Sequence, residues 1–132
     1  MPVVDASAVV ELLADGEHAE QVETRLAAEE YTLWAPYLLD AEVGQAMRRY
    51  VRSGEIDPDV AGESLWLVDD LPIQRVEHDL LIHVAWALRD NVSFYDGLYV
   101  ALAQMLDEPL LTLDARLARA GLQVEIEVLA QA

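Results

Sequence analysis

The chain contains no cysteine and no lysine, and nowhere an apolar run close to the roughly 20 residues that cross a bilayer. Without thiols there are no disulfides, thiolate metal ligands or thiol nucleophiles, so a metal would have to sit on oxygen or imidazole, and an intracellular enzyme fits better than a secreted scaffold. Without lysine, mechanisms that set an ammonium against a phosphate are excluded. The start lacks the basic region and apolar stretch of a signal peptide, so the expectation is a cytoplasmic protein with no membrane contact. Positive charge is scarce too: 25 acids face 8 bases, all arginine, for a formal net charge of -17. Such a surface repels nucleic acid in bulk. It can still act on phosphodiesters where divalent cations neutralise a site and a few arginines clamp the backbone with their bidentate forks. The charge also suits a basic protein partner.

What is abundant is apolar surface. At 54% apolar content in 132 residues, the chain is long enough for one domain over 1–132 with a core of its own. Val3 to Asp5 reads as a buried strand, followed by a helix over Ala8 to Ala14 that Asp15-Gly16 closes. Glu17 to Glu30 has helical periodicity with an acidic outer face. Thr32 to Ala35 is a second strand stopped by Pro36, and Tyr37 to Arg52 is a long helix ending at Ser53-Gly54. Asp57-Pro58 starts a helix that runs to Asp70, with aspartate as cap and proline at the first helical position. Ile73 to Val76 is a weak third strand. Helices over Asp79 to Asp90 and Ser93 to Asp107 follow, then a strand at Leu110 to Leu113, a helix over Asp114 to Ala120 stopped at Gly121, and a strand at Val124 to Ile126. Strands alternating with helices predict an α/β fold, a parallel sheet covered on both faces, with its site outside the carboxyl ends of the strands. Trp34, Trp66, Trp86, Met47, Met105, Tyr95 and Tyr99 are read as core, and His83 as a packed histidine.

Asp5 and Asp114 fall at those strand ends, and Asp96 lies in the first turn of the helix that leads to the second of them. Each acid alone has an ordinary reading: Asp5, or Ser7 in its place, as cap of the first helix, Asp114 as cap of the one after it, and Asp96 as part of a Ser93-x-x-Asp96 capping box. Glu42 sits at the border of its helix's core stripe beside Arg49, where an acid is either half-buried and paired or pointed into a site. If the four converge, their repulsion must be relieved by raised pKa values or by a cation, and an all-carboxylate set suits hard ions such as Mg²⁺ or Mn²⁺. The chemistry that follows is phosphodiester cleavage by a metal-activated water. Ser7 and Thr112 could support the acids, or simply bond local backbone.

These residues resemble the PIN domain, and specifically the toxin ribonucleases of VapBC-type toxin-antitoxin pairs. The matching pieces are Val3-Val4-Asp5-Ala6-Ser7, the stretch from Pro36 through Leu39 to Glu42-Val43, the block from Phe94-Tyr95-Asp96-Gly97 to Ala103, and Leu110-Leu111-Thr112-Leu113-Asp114-Ala115-Arg116-Leu117. The resemblance implies a three-layer α/β/α sandwich with a central parallel sheet. It implies Asp5, Glu42, Asp96 and Asp114 as an acidic quartet around Mg²⁺ or Mn²⁺, with Ser7 and Thr112 as supporting hydroxyls. It further implies an endoribonuclease acting on tRNA, rRNA or mRNA, as a homodimer silenced by a cognate VapB-type antitoxin whose C-terminal segment covers the site. Arg49 and Arg116 are the expected contacts to RNA phosphate.

Two other phosphoryl-transfer classes are disfavoured. A haloacid-dehalogenase-type phosphatase needs a second aspartate two residues after the first, where Ser7 stands, and it needs a lysine, as does a phosphoacceptor receiver domain. The remaining alternative is a non-catalytic module of the same fold that binds RNA or only dimerises.

Overall fold

The computed structural model describes residues 1–130. Five strands, β1 (Val3–Val4), β2 (Leu33–Pro36), β3 (Ile73–Val76), β4 (Leu110–Thr112) and β5 (Ile126–Val128), form one sheet in the order β3-β2-β1-β4-β5. Every pairing is parallel, with Val3 opposite Trp34 on one side and Leu110 on the other. The helices are α1 (Ala6–Leu13), α2 (Ala19–Ala28), α3 (Leu38–Arg52), α4 (Pro58–Asp70), α5 (Ile82–Ala87) and α6 (Phe94–Leu106). The chain crosses the sheet in one direction from β1 through β2 to β3 and returns past β1 to reach β4. Right-handed crossovers therefore place α1 to α4 on one face and α5 and α6 on the other, which makes three layers. The order reverses between β1 and β4, the place where open parallel sheets leave a crevice.

The core follows from patterning. Val3, Val4, Leu110 and Leu111 are wholly buried because the central strands are covered on both faces. In α6 the run Gly97–Ala103 is buried throughout, since this helix lies against β1, β2 and β4 and also packs on α5. Gly97 lets the two helices approach closely: a Cβ at that position would stand 3.1 Å from the Ala85 carbonyl oxygen of α5, tighter than most side chains pack. Asp57 caps α4 by accepting from the Asp59 N–H at 2.9 Å, with Pro58 in the first turn.

Several expected elements differ in detail. The expected helix over Glu17 to Glu30 is α2, Ala19–Ala28, and the last strand lies two residues later than Val124 to Ile126. That edge strand is half-buried along its length, and the apolar alternation of Val124, Ile126 and Val128 leaves its start undefined. Asp79 to Asp90 splits into a 3-10 turn at His78–Leu80 and the short α5; only Leu81 and Ala85 of this stretch are fully buried, with Val84 and Leu88 packed partly against the core. Asp114 to Ala120 is no α-helix but a turn followed by a 3-10 turn at Leu117–Arg119, with Leu117 its one buried apolar anchor.

Five side chains read as packed face solvent instead. Trp66 is 72% exposed, about 200° around α4 from the buried Ser64. Trp86 is exposed with the Arg89 guanidinium 4.8 Å from its ring centroid, a cation–π contact that shields one face. Met105, Tyr95 and His83 are also exposed, lying on the outer sides of α6 and α5. Met47 and Tyr99 are buried, and Trp34 is partly so. No helix among the described residues is long and apolar enough to cross a membrane.

Candidate active site

At the carboxyl end of β1 and β4 a cavity of about 730 Å³ opens between α1 and α3. All four expected acids line it: Asp5 after β1, Glu42 in the second turn of α3, Asp96 in the first turn of α6, and Asp114 after β4. Ser7, Tyr99, Arg49 and Arg116 line it too, so residues far apart in the chain meet at the sheet's reversal point.

Asp5 is the most enclosed of the four, at 6% exposure. Its Oδ1 accepts from Ser7 Oγ at 2.6 Å and from the Ala8 N–H at 3.3 Å, so the capping role expected of it is real. Its Oδ2 accepts from Thr112 Oγ1 at 2.5 Å. The same hydroxyls accept in turn: Ser7 Oγ from the Leu113 N–H at 2.9 Å, Thr112 Oγ1 from the Asp114 N–H at 3.0 Å. Asp5 is thereby wired to the turn that carries Asp114. Burial pushes its carboxyl up to about 6 although the three donors pull the other way, and the charge of Asp96 adds to the rise.

Glu42 and Asp96 are half-buried, and both carboxyls are raised above their ordinary range, chiefly by burial. A bond from Tyr99 opposes the rise at Glu42, and one from Ser93 opposes it at Asp96. The charge of Asp96 raises Glu42, and that of Asp114 raises Asp96, so the acids stand within electrostatic reach of one another. Ser93 caps α6, its Oγ accepting from the Asp96 N–H at 3.1 Å. Glu42 Oε1 accepts from the Tyr99 hydroxyl at 2.6 Å. Of the two readings open for an acid at that border, Glu42 points into the site: it forms no ion pair with Arg49 among the described residues, although the Arg49 charge opposes the rise of its carboxyl, and its bond is to a tyrosine.

Asp114 behaves differently. Arg116 forks onto it, Nε to Oδ1 at 3.0 Å and a terminal nitrogen to Oδ2 at 2.8 Å, and the Arg116 N–H donates to Oδ1 at 2.9 Å. These contacts hold its carboxyl below the ordinary range. The Arg116 N–H bond matches the cap that Asp57 makes at α4, yet only a 3-10 turn follows it here. Arg116 is therefore an ion-pair partner in the cavity wall. Arg49 lines the cavity and forms no ion pair among the described residues.

The donor set fits a hard divalent cation: the ligands on offer are carboxylate oxygens, and six acids against two arginines line the cavity. As the side chains lie, no three acidic or imidazole groups among the described residues stand close enough to chelate an ion together. Each carboxylate is held by donors of its own: Asp5 by Ser7 and Thr112, Glu42 by Tyr99, and Asp114 by Arg116. Sequence reasoning placed Tyr99 in the core and missed its bond to Glu42. The signal within reach was its spacing from Asp96, three residues on along one helix face.

Comparison with known proteins agrees with this geometry. The family model described as "PIN domain" matches residues 3–122. The chain is 51% identical over 128 residues to Ribonuclease VapC1 of Mycobacterium tuberculosis, covering 96% of each chain. It is 40% identical over 119 residues to Ribonuclease VapC3 of the same species, covering 89% of this chain and 85% of the relative. Among solved structures, that of PAE2754 from Pyrobaculum aerophilum superposes with a TM-score of 0.69 at 26% identity, covering 96% of this chain and 82% of that one. The match runs through every segment that builds the cavity, and the chain belongs to the PIN domain family, among its VapC-type ribonucleases.

Proposed function

We propose that this protein is an endoribonuclease toxin that depends on Mg²⁺ or Mn²⁺ and cuts RNA phosphodiester bonds. The observation that carries the reading is the meeting of Asp5, Glu42, Asp96 and Asp114 in one cavity at the sheet's reversal point. Asp5, Asp96, Asp114 and Glu42 would hold the metal, which when bound supplies an activated water and charge stabilisation at the phosphate. Ser7 and Thr112 orient Asp5 from behind, a supporting role for which their bonds to both carboxylate oxygens speak. Arg49, exposed at the cavity wall, is suited to grip a phosphate oxygen. Arg116 is suited to the same task on the opposite side, in exchange with Asp114.

Partners follow from charge and surface. An RNA strand must approach a protein of net charge -17 through these few arginines. The excess of acids lining the cavity favours a basic segment as its inhibitor, in keeping with a cognate VapB-type antitoxin. The exposed Trp66, Leu67, Ile82 and Trp86 on α4 and α5 support a homodimer, since apolar side chains of this size gain from being covered.

The test is cleavage of a mixed RNA substrate by purified protein with Mn²⁺ and with chelator. Cleavage is expected only with the metal, and Asp5→Ala and Asp96→Ala are expected to lower its rate by about 100-fold or more. Residual cutting equal to wild type in either variant would remove the proposal.

A further inference from the structure

Glu42 differs from the other three acids in what holds it. Asp5, Asp96 and Asp114 are short side chains at strand or helix ends, and each has a donor two or three residues away in the chain, Ser7, Ser93 and Arg116 respectively, Asp5 accepting also from the distant Thr112. Glu42 is a longer side chain within α3, with more rotatable bonds to fix. The hydrogen bond to its carboxylate comes from another helix, 57 residues away: the Tyr99 hydroxyl of α6, at 2.6 Å.

Tyr99 is well built for this. It is 2% exposed and its ring belongs to the core, so packing fixes the direction in which the O–H points. It lies three residues after Asp96, on the same face of α6, so the helix that brings one acid to the cavity also carries the tether of another. The hydroxyl faces the charges of Glu42, Asp5 and Asp96 and has one proton to give. Asp5 already accepts from two hydroxyls and a backbone N–H, so the tyrosine's proton goes to Glu42.

We propose that Tyr99 is a positioning residue: its buried hydroxyl holds the Glu42 carboxylate at the cavity beside Asp5 and Asp96 and so completes the oxygen set that would receive a divalent cation. The role rests on the metal-dependent reading given above. Its chemistry is that of an outer-shell donor, whose loss typically costs about 10- to 100-fold in metal affinity or activity.

Tyr99→Phe tests it, because the ring and its packing stay and only the donor goes. In the full chain, Mn²⁺ affinity measured by isothermal titration is expected to fall about 10-fold or more. The kcat on RNA should fall with it while KM for RNA holds, and in a Glu42→Ala background Tyr99→Phe should change Mn²⁺ affinity no further. Wild-type Mn²⁺ affinity in Tyr99→Phe overturns the role alone. So does an equal loss in the Glu42→Ala background, which would show that the tyrosine acts through packing. A wild-type chain that binds no Mn²⁺ overturns the metal reading and this role with it.

Discussion

Asp5 and Asp114 occupy matched places, each just past the end of one of two adjacent parallel strands, and the molecule treats them in opposite ways. Asp5 is buried at the start of α1, its oxygens bound by neutral donors, and burial raises its carboxyl to about 6. Asp114 lies at the rim, forked by an arginine whose side chain is 82% exposed, and its carboxyl is lowered. The strand end fixes where an acid stands, and the partner decides whether it prefers to be charged. One cavity thus presents a carboxylate eager for a cation beside one that already has a cationic partner.

The comparison can be broken most forcefully with pH. The native state holds the proton of Asp5 more tightly than the unfolded chain does, so in metal-free protein the unfolding free energy should rise as pH falls through about 6 and stop rising below the ordinary 3.8. Asp5 alone accounts for up to about 3 kcal/mol of that rise. Glu42 and Asp96, also raised, act in the same sense. Asp114 acts in the opposite sense, its contribution being complete above its ordinary pKa and lost as pH falls through its lowered native value. Urea unfolding at pH 7 and pH 5 measures the balance. A protein less stable at pH 5, or an Asp5→Asn variant that keeps the whole gain, would refute the assignment.

A smaller effect is expected from Thr112→Val, which preserves shape while removing the hydroxyl that bonds Asp5 and accepts from the Asp114 N–H. Leaving a buried carboxylate oxygen and an N–H short of a partner should cost about 1–3 kcal/mol in denaturant unfolding at pH 7. No change would mean that the two acids are not linked through this residue.

Least of all should Arg116→Ala disturb stability, because its pair is at the surface and the arginine is exposed. Its signature is local: the carboxyl pKa of Asp114, followed by carbon NMR, should return upward toward the ordinary range. If Arg116 also grips RNA, the salt dependence of RNA binding should lose about 0.7 from its log–log slope. An Asp114 pKa unmoved in the variant would sharpen the contrast in the other direction, by showing that the backbone N–H suffices.

Much of this arrangement was legible in the residues. The β-branched and apolar runs at Val3-Val4 and Leu110-Leu111 announce central strands, and the Ser93 and Asp57 caps announce helix starts, because these signals act over a few residues. Asp5, Asp96 and Asp114 inherit their places from such local rules. The turn after Asp114 reads as a helix because Asp114 caps it as Asp57 caps α4, and the sequence does not reveal that Leu117 alone is buried beyond it. The exposure of Trp66 and Trp86 was hidden because hydrophobicity predicts a wish to be covered without saying by what. The Tyr99–Glu42 bond joins two helices through tertiary packing: the spacing from Asp96 turns the tyrosine toward the cavity, but nothing local names Glu42 as its partner.

The hydroxyls behind Asp5 have a polarity. Ser7 and Thr112 each accept a backbone N–H from the turn after β4, and each turns its proton to Asp5, so neither is free to donate to the other across the 3.3 Å between them. Dipoles held in this way have little room to rotate. The surroundings of Asp5 are dielectrically stiff, and a charge that enters the cavity meets a field fixed by the fold rather than one that must first be arranged.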